Sequence, residues 1–209
     1  MNHQELTNSY IRITYRDYPC LPKDLQIGLM PFPSRFDTGE NALSFRVKER
    51  QAGRSLLRRM ANEESGTSDF RLEGREGEKP VAYMKGKPLF VNLSHAERII
   101  GGVLSKVREV GIDLEASDRN VSNELRSRIL HPEEVKQLND LDTVQIWTLK
   151  EAALKWCGSG LRIAMKRVHI LNHEDSGVSA RLDDGRRIAL CSFRREQHWI
   201  SVAWTPDFT

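Results

Sequence analysis

Three carboxylates and one lysine stand out by residue type and spacing. In Gly111-Ile112-Asp113-Leu114-Glu115, strand alternation puts Asp113 and Glu115 on one face and Ile112 and Leu114 on the other. In Trp147-Thr148-Leu149-Lys150-Glu151-Ala152-Ala153-Leu154-Lys155, a helical period gathers Ile146, Leu149, Ala153 and Trp156 into an apolar stripe, while Trp147, Glu151 and Lys155 recur on another side. Glu151 and Lys155 alone would describe a solvated surface pair in the favourable acid-before-base order. Combined with Asp113 and Glu115, they become three carboxylates on two rigid elements. That donor set offers the hard oxygens a magnesium ion prefers, with phosphate oxygens and water completing its octahedron. Lys155 then sits one helical turn from the metal.

Two further groups could meet an anion. Over residues 40–62, which read as a helix, Phe45, Ala52, Leu56 and Met60 lie near one face, while Arg46, Arg50, Arg54 and Arg58 recur along another. Like charges at this spacing oppose the helix by a few tenths of a kcal/mol per pair, so the stripe either faces solvent or awaits an anionic partner. Leu89-Phe90-Val91-Asn92-Leu93 reads as a buried strand delivering Ser94 and His95, whose hydroxyl and imidazole can donate to phosphate oxygens. The same two residues would also suit an ordinary turn. A Ser-His nucleophile pair is disfavoured, since neighbours on a strand point to opposite faces and no G-x-S-x-G elbow is present.

The ordered blocks Phe90-Val91-Asn92-Leu93-Ser94-His95, Gly111-Ile112-Asp113-Leu114-Glu115 and Trp147-Thr148-Leu149-Lys150-Glu151-Ala152-Ala153-Leu154-Lys155 resemble the signature of the 4′-phosphopantetheinyl transferase family, [FW]-N-x-S-H … G-[IV]-D-[IVL]-E … W-[ST]-x-K-E-[AS]-x-x-K. The resemblance is to the longer, single-chain (Sfp-type) members. It implies an α+β (α/β) fold of two similar α/β halves in a pseudo-twofold arrangement, with the site in the cleft between them. Residues 1–108 would form a half that binds coenzyme A, and residues 109–209 a half with the metal and catalytic residues. The implied reaction moves the 4′-phosphopantetheine arm of coenzyme A onto a serine of an apo acyl or peptidyl carrier protein. Asp113, Glu115 and Glu151 would hold Mg2+. Glu151 would act as base, and Lys155 would meet the leaving phosphate. Arg54, then Arg50, would contact the 3′-phosphate of coenzyme A, and Ser94, His95 and Lys155 would also bind coenzyme A. The family's G-x-K-P block falls on Gly77-Glu78-Lys79-Pro80 or on Gly86-Lys87-Pro88, and Lys79 is preferred over Lys87. Ala96-Glu97 departs from the small polar residue that many members carry after the histidine.

Stepping from these residues to what must hold them, the chain has 209 residues, 39% apolar and 29% charged, enough for one large domain or two of about 100 residues each. The net charge of +3 suits an anionic ligand or an acidic protein partner. No apolar run reaches the roughly 18 residues of a membrane span. Residues 1–5 lack a basic-then-apolar leader, so cytoplasmic residence is expected; the resemblance implies a monomer without a membrane or nucleic-acid partner. The three cysteines are far apart and odd in number, which argues against a disulfide framework, and Cys157 and Cys191 read as packing residues. The histidines are not read as a zinc centre.

Residues 10–15 alternate as a strand, after which Pro19, Pro22, Pro31 and Pro33 interrupt any long element. Residues 66–77 read as a surface connection with a short strand around Phe70. A strand at 98–104 follows the Ser-His block. Residues 121–141 read as a long helical region with a fresh start at His131-Pro132-Glu133-Glu134, where Glu134 would complement the helix dipole. Gly158-Ser159-Gly160-Leu161 ends the helix of Glu151. Strands at 168–171, 178–182, 188–193 and 199–204 close the chain, with an Asp184-Gly185 turn between the second and third. Two other functions share parts of this pattern. A metal-dependent nuclease also combines acids with a lysine, though on one strand as E-x-K, and a non-catalytic carrier-protein binder could keep the fold.

Overall fold

A computed structural model describes residues 9–66, 68–74, 79–158, 162–174 and 177–207. It is a mixed α+β molecule built on two antiparallel sheets. The first sheet contains β1 (Ile11–Ile13), β2 (Gln26–Pro31), β3 (Phe70–Glu73), β4 (Val81–Met84), β5 (Lys87–Ala96) and β6 (Ile99–Ser105), in the spatial order β1-β2-β6-β5-β4-β3. The second contains β7 (Val110–Ala116), β8 (Val168–Glu174), β9 (Gly177–Leu182), β10 (Arg187–Arg195) and β11 (His198–Trp204), in the order β7-β11-β10-β9-β8. Setting β1 aside, the two orders are the same. Each sheet also receives a long helix after its first strand: α2 (Ala42–Ser65) follows β2, and α5 (Thr143–Trp156) follows β7. The short helix α1 (Arg35–Thr38) lies between β2 and α2, and the short helices α3 (Asn123–Ile129) and α4 (Glu134–Gln137) lie between β7 and α5.

The hairpins align the two sheets residue by residue. In β5–β6 the last pair before the turn is Ala96 with Ile99, and in β10–β11 it is Arg195 with His198. Three residues past those turns stand Gly102, paired with Gly28 on β2, and Ser201, paired with Asp113 on β7. Gly28 and Met30 therefore occupy on β2 the places of Asp113 and Glu115 on β7. Only the second copy of the frame has carboxylates there.

Capping explains where the long helices begin and end. The Asn41 side chain accepts from the Ser44 N–H to start α2, and Gly66 ends it at φ 63°, a conformation that favours glycine. Leu56, Leu57, Met60 and Ala61 form its buried face against β2, β5 and β6. Asp142 starts α5 by accepting from the Val144 N–H. Nearly all of α5 is buried, because β7 and β11 cover one side and the segment around β8 another. The apolar stripe Ile146, Leu149, Ala153 and Trp156 is part of that core. Ile112 and Leu114 point the other way, into a layer shared with Ile27, Leu29 and Val103 of the first sheet and Phe193, Ile200 and Val202 of the second. That shared layer joins the halves.

Several local expectations change. The region 121–141 is not one helical run: Leu130 leaves α3 in extended conformation (φ −80°, ψ 137°), and Pro132 offers no N–H to continue it. Cys20 and Cys191 are joined by a disulfide across 171 residues, with Cα atoms 5.9 Å apart, so Cys191 is not simply a packing residue. Cys157 takes no part in that disulfide. Gly158 has φ 72° beyond α5, as a left-handed cap requires, while Ser159, Gly160 and Leu161 lie outside the described residues, as do Gly77 and Glu78. Among the described residues, no helix is long and apolar enough to cross a membrane.

Candidate active site

Asp113, Ser94 and Lys155 meet where β7, β5 and α5 converge. Lys155 Nζ donates to Asp113 Oδ1 at 2.7 Å and to Ser94 Oγ at 2.8 Å, and Ser94 Oγ donates to the same Asp113 oxygen at 3.0 Å. β5 thus contributes a residue of the first sheet to a cluster otherwise carried by the second. Two features bring the elements so close. Asn92 Oδ1 accepts from the Ile112 N–H at 3.3 Å and ties β5 to β7. Gly111 lets α5 lie directly on β7, since a Cβ there would strike the Ala152 carbonyl and the Trp156 backbone.

Glu151 and Glu115 complete the acidic group. Glu151 is 8% exposed, and burial first, then the charge of Asp113, push its carboxyl up to about 7. Lys155 opposes that rise but does not cancel it. Burial also raises Glu115, which pairs with Arg119. The Arg119 guanidinium in turn sits 5.1 Å over the Trp147 ring, so the third residue on the active side of α5 anchors the arginine that orients Glu115. Asp113 Oδ2 is buried with no hydrogen-bond partner. Clustered carboxylates with raised proton affinity and one orphaned, buried oxygen fit a divalent, oxygen-liganded cation such as Mg2+.

Beside this cluster a cavity of ≈ 380 Å³ is lined by Arg46, Glu49, Arg50, Ser94 and His95, among others. His95 Nδ1 lies 3.2 Å from Glu49 Oε1 at its edge. Arg50 is therefore in the cavity with the Ser-His block. Arg54, the preferred arginine in the sequence, is directed elsewhere and donates to the Gly74 carbonyl at 3.1 Å. Lys79 is ion-paired to Glu109 and donates to the Trp156 carbonyl at 2.8 Å, which caps the end of α5. Lys87, the other lysine considered, opens β5 and is exposed.

Two groups were not visible as partners in the sequence. Glu134 is fully buried, and instead of merely facing a helix dipole it ion-pairs with the equally buried Lys150. It also accepts the N–H of His131 (2.6 Å) and of Ile170 (2.6 Å), while Lys150 donates to the Val168 carbonyl (2.8 Å). This network fixes the back of α5, opposite the chemistry. Around it the rings of His131 and His169 lie 4.4 Å apart, tilted by 34°, with Glu133 Oε2 3.4 Å from His169 Nε2, so these three potential ligands gather although the histidines suggested no metal centre. The Lys-Glu dipeptide at 150–151 was the available signal for the network: on a helix whose neighbours are all apolar, the first of two charged residues must find a buried counterion.

Comparison with known proteins bears on the same elements. Residues 109–203 match the family model of the 4′-phosphopantetheinyl transferase superfamily. No curated protein matches the sequence. Among solved structures, the Helicobacter pylori holo-[acyl-carrier-protein] synthase, in complex with coenzyme A, aligns with 45% of this chain and 96% of its own at 16% identity and a TM-score of 0.39. The matched residues run from just before β7 nearly to the end of β11 and hold Asp113, Glu115, Glu151 and Lys155. Over that stretch the chain is similar to the 4′-phosphopantetheinyl transferase superfamily.

Proposed function

We propose that the protein, a monomer of the cytoplasm, transfers 4′-phosphopantetheine from coenzyme A to a serine of an apo acyl or peptidyl carrier protein and releases adenosine 3′,5′-bisphosphate. The observation that carries the reading is the convergence of Asp113, Glu115, Glu151 and Lys155 beside an arginine- and histidine-lined cavity, with Asp113 Oδ2 buried and unpartnered. Asp113, Glu115 and Glu151 would hold Mg2+. When bound, it would neutralise charge on the phosphoanhydride oxygens.

The chain's own residues account for the remaining work. Arg50, Ser94 and His95 line one cavity and bind the phosphates of coenzyme A, while Arg54 and Lys79, bonded to the Gly74 and Trp156 carbonyls, are not part of its lining. The carrier serine oxygen forms a bond to the phosphorus that bears pantetheine, while the anhydride P–O bond breaks. Glu151 takes the serine proton, for which an affinity near neutrality is suited. Lys155 leaves its contact with Ser94 to donate to the departing phosphate, stabilising the charge that develops there.

The test is intact-mass spectrometry of apo carrier proteins incubated with the protein, coenzyme A and magnesium, alongside Glu151→Gln. The expected result is a gain of one phosphopantetheine on the carrier, lost with chelator and in the variant, while the variant still binds coenzyme A. Undiminished transfer by Glu151→Gln would remove Glu151 as base. Carriers that stay apo despite coenzyme A binding would point to a non-catalytic binder.

A further inference from the structure

The repeated frame has a second junction that the proposed reaction does not use. At the active site β7 packs against β5; in the other copy of the frame the corresponding strands are β2 and β10. Where β2 ends against the β10–β11 turn there is a cavity of ≈ 290 Å³, and it shares no lining residue with the cavity beside Ser94. Gly28 and Met30 replace the carboxylates on β2, so this junction has no acid set for a metal. Its polar lining carries two arginines, Arg98 and Arg195, with His198, Gln197 and Glu196 at the turn, beside an apolar wall of Leu29, Pro31 and Ile99.

The cations differ in what they already hold. Arg98 is paired with Asp37 at 2.7 Å. Arg195 has no carboxylate partner among the described residues, and its Nε is buried without a hydrogen bond. His198 Nε2 meets the Glu97 carbonyl at 2.9 Å and must donate to it, while its Nδ1 is buried and unpartnered. Arg195 Nε is a buried donor left without an acceptor, which costs free energy that an arriving anion recovers, whereas a neutral His198 that donates through Nε2 presents Nδ1 as an acceptor. Both orphaned nitrogens belong to residues lining the same small cavity.

We propose that this cavity binds a small organic carboxylate with a short apolar tail. The guanidinium fork of Arg195 matches the planar pair of carboxylate oxygens. The tail lies on Leu29, Pro31 and Ile99. A single unpaired arginine, with Glu196 at the turn beside it, suits a monoanion over a phosphate dianion. The volume is at the lower end for ligand sites, so the ligand is small. Because β2 and the β10–β11 turn belong to different sheets, the bound carboxylate bridges the halves.

Octanoate is the probe, with octanol and inorganic phosphate as controls, followed by isothermal titration and by amide shifts in NMR. Saturable octanoate binding is expected, with shifts at Ile99 and His198, and neither control should reproduce it. Arg195→Gln should weaken octanoate by about tenfold or more, the loss of one charge-assisted hydrogen bond, without changing carrier modification in octanoate-free buffer. Ile99→Phe, which fills the apolar end, should also abolish binding, and it serves should Arg195→Gln fail to fold. Non-saturating titration, equal affinity in a folded Arg195→Gln protein, or shifts centred on Arg50 and Ser94 would each overturn the assignment.

Discussion

Glu151 changes charge near neutrality because it is buried beside Asp113, and the consequence has a definite sign. Its carboxyl holds a proton more tightly in the folded chain, at about 7, than at the ordinary value of 4.5. A raised value means that the folded state binds more protons across this interval. Its contribution to stability is therefore fully present below 4.5 and is lost as pH rises through about 7. Metal-free protein should lose thermal stability over that window, and Glu151→Gln should flatten the loss, as melting curves across pH would show. Magnesium binding should release protons near neutral pH, measurable by calorimetry in buffers of different ionisation enthalpy. The site's acids were legible in the sequence because alternation and helical period fixed their faces. Arg195 and His198 were not: nothing local at the end of β10 and the start of β11 tells that they will line a cavity with Leu29 and Ile99 of the other sheet. The Cys20–Cys191 bond was hidden for a similar reason, since pairing over 171 residues is decided by the assembled sheets.

Elements act here through contacts with little tolerance. Gly111 places α5 on β7, and Gly111→Ala would put a methyl group into the backbone of Ala152 and Trp156. The variant should be destabilised by roughly 3–4 kcal/mol, and it should lose transfer even where folded, because Asp113 and Lys155 move apart. Denaturant melts combined with the carrier-mass assay would separate the two effects. The Glu134–Lys150 pair fixes α5 from behind, and burial lowers the proton affinity of Lys150 against the pull of Glu134. Lys150→Met leaves Glu134 charged and uncompensated, so a loss of about 3–5 kcal/mol is expected; the double variant Lys150→Met, Glu134→Leu should recover part of it. The sequence showed where α5 begins and which stripe it buries. It also marked the fresh start at His131-Pro132-Glu133-Glu134, where the structure breaks the region after Leu130, but not how short the two pieces, Asn123–Ile129 and Glu134–Gln137, would be.

At the scale of the molecule, the cluster is divided between sheets. Ser94 comes from the first, while Asp113 and Lys155 come with the second, and the layer holding Ile112 and Leu114 needs Ile27, Leu29 and Val103 opposite. A fragment of residues 109–209 expressed alone should therefore self-associate or precipitate and show no transfer. Coexpression with residues 1–108 should restore both solubility and activity, as size exclusion and the mass assay would report. The likeness of the halves was implied by family resemblance and is explicit in the strand order, although their sequences share no visible repeat: matching hairpin registers constrain backbone pairing far more than side-chain identity. The replacement of Asp113 and Glu115 by Gly28 and Met30 in the first copy also fixes a stoichiometry. A frame drawn twice in one chain carries a single set of acidic ligands at these positions, so a titration should saturate at one magnesium per polypeptide, and each chain should charge one carrier at a time from one direction of approach.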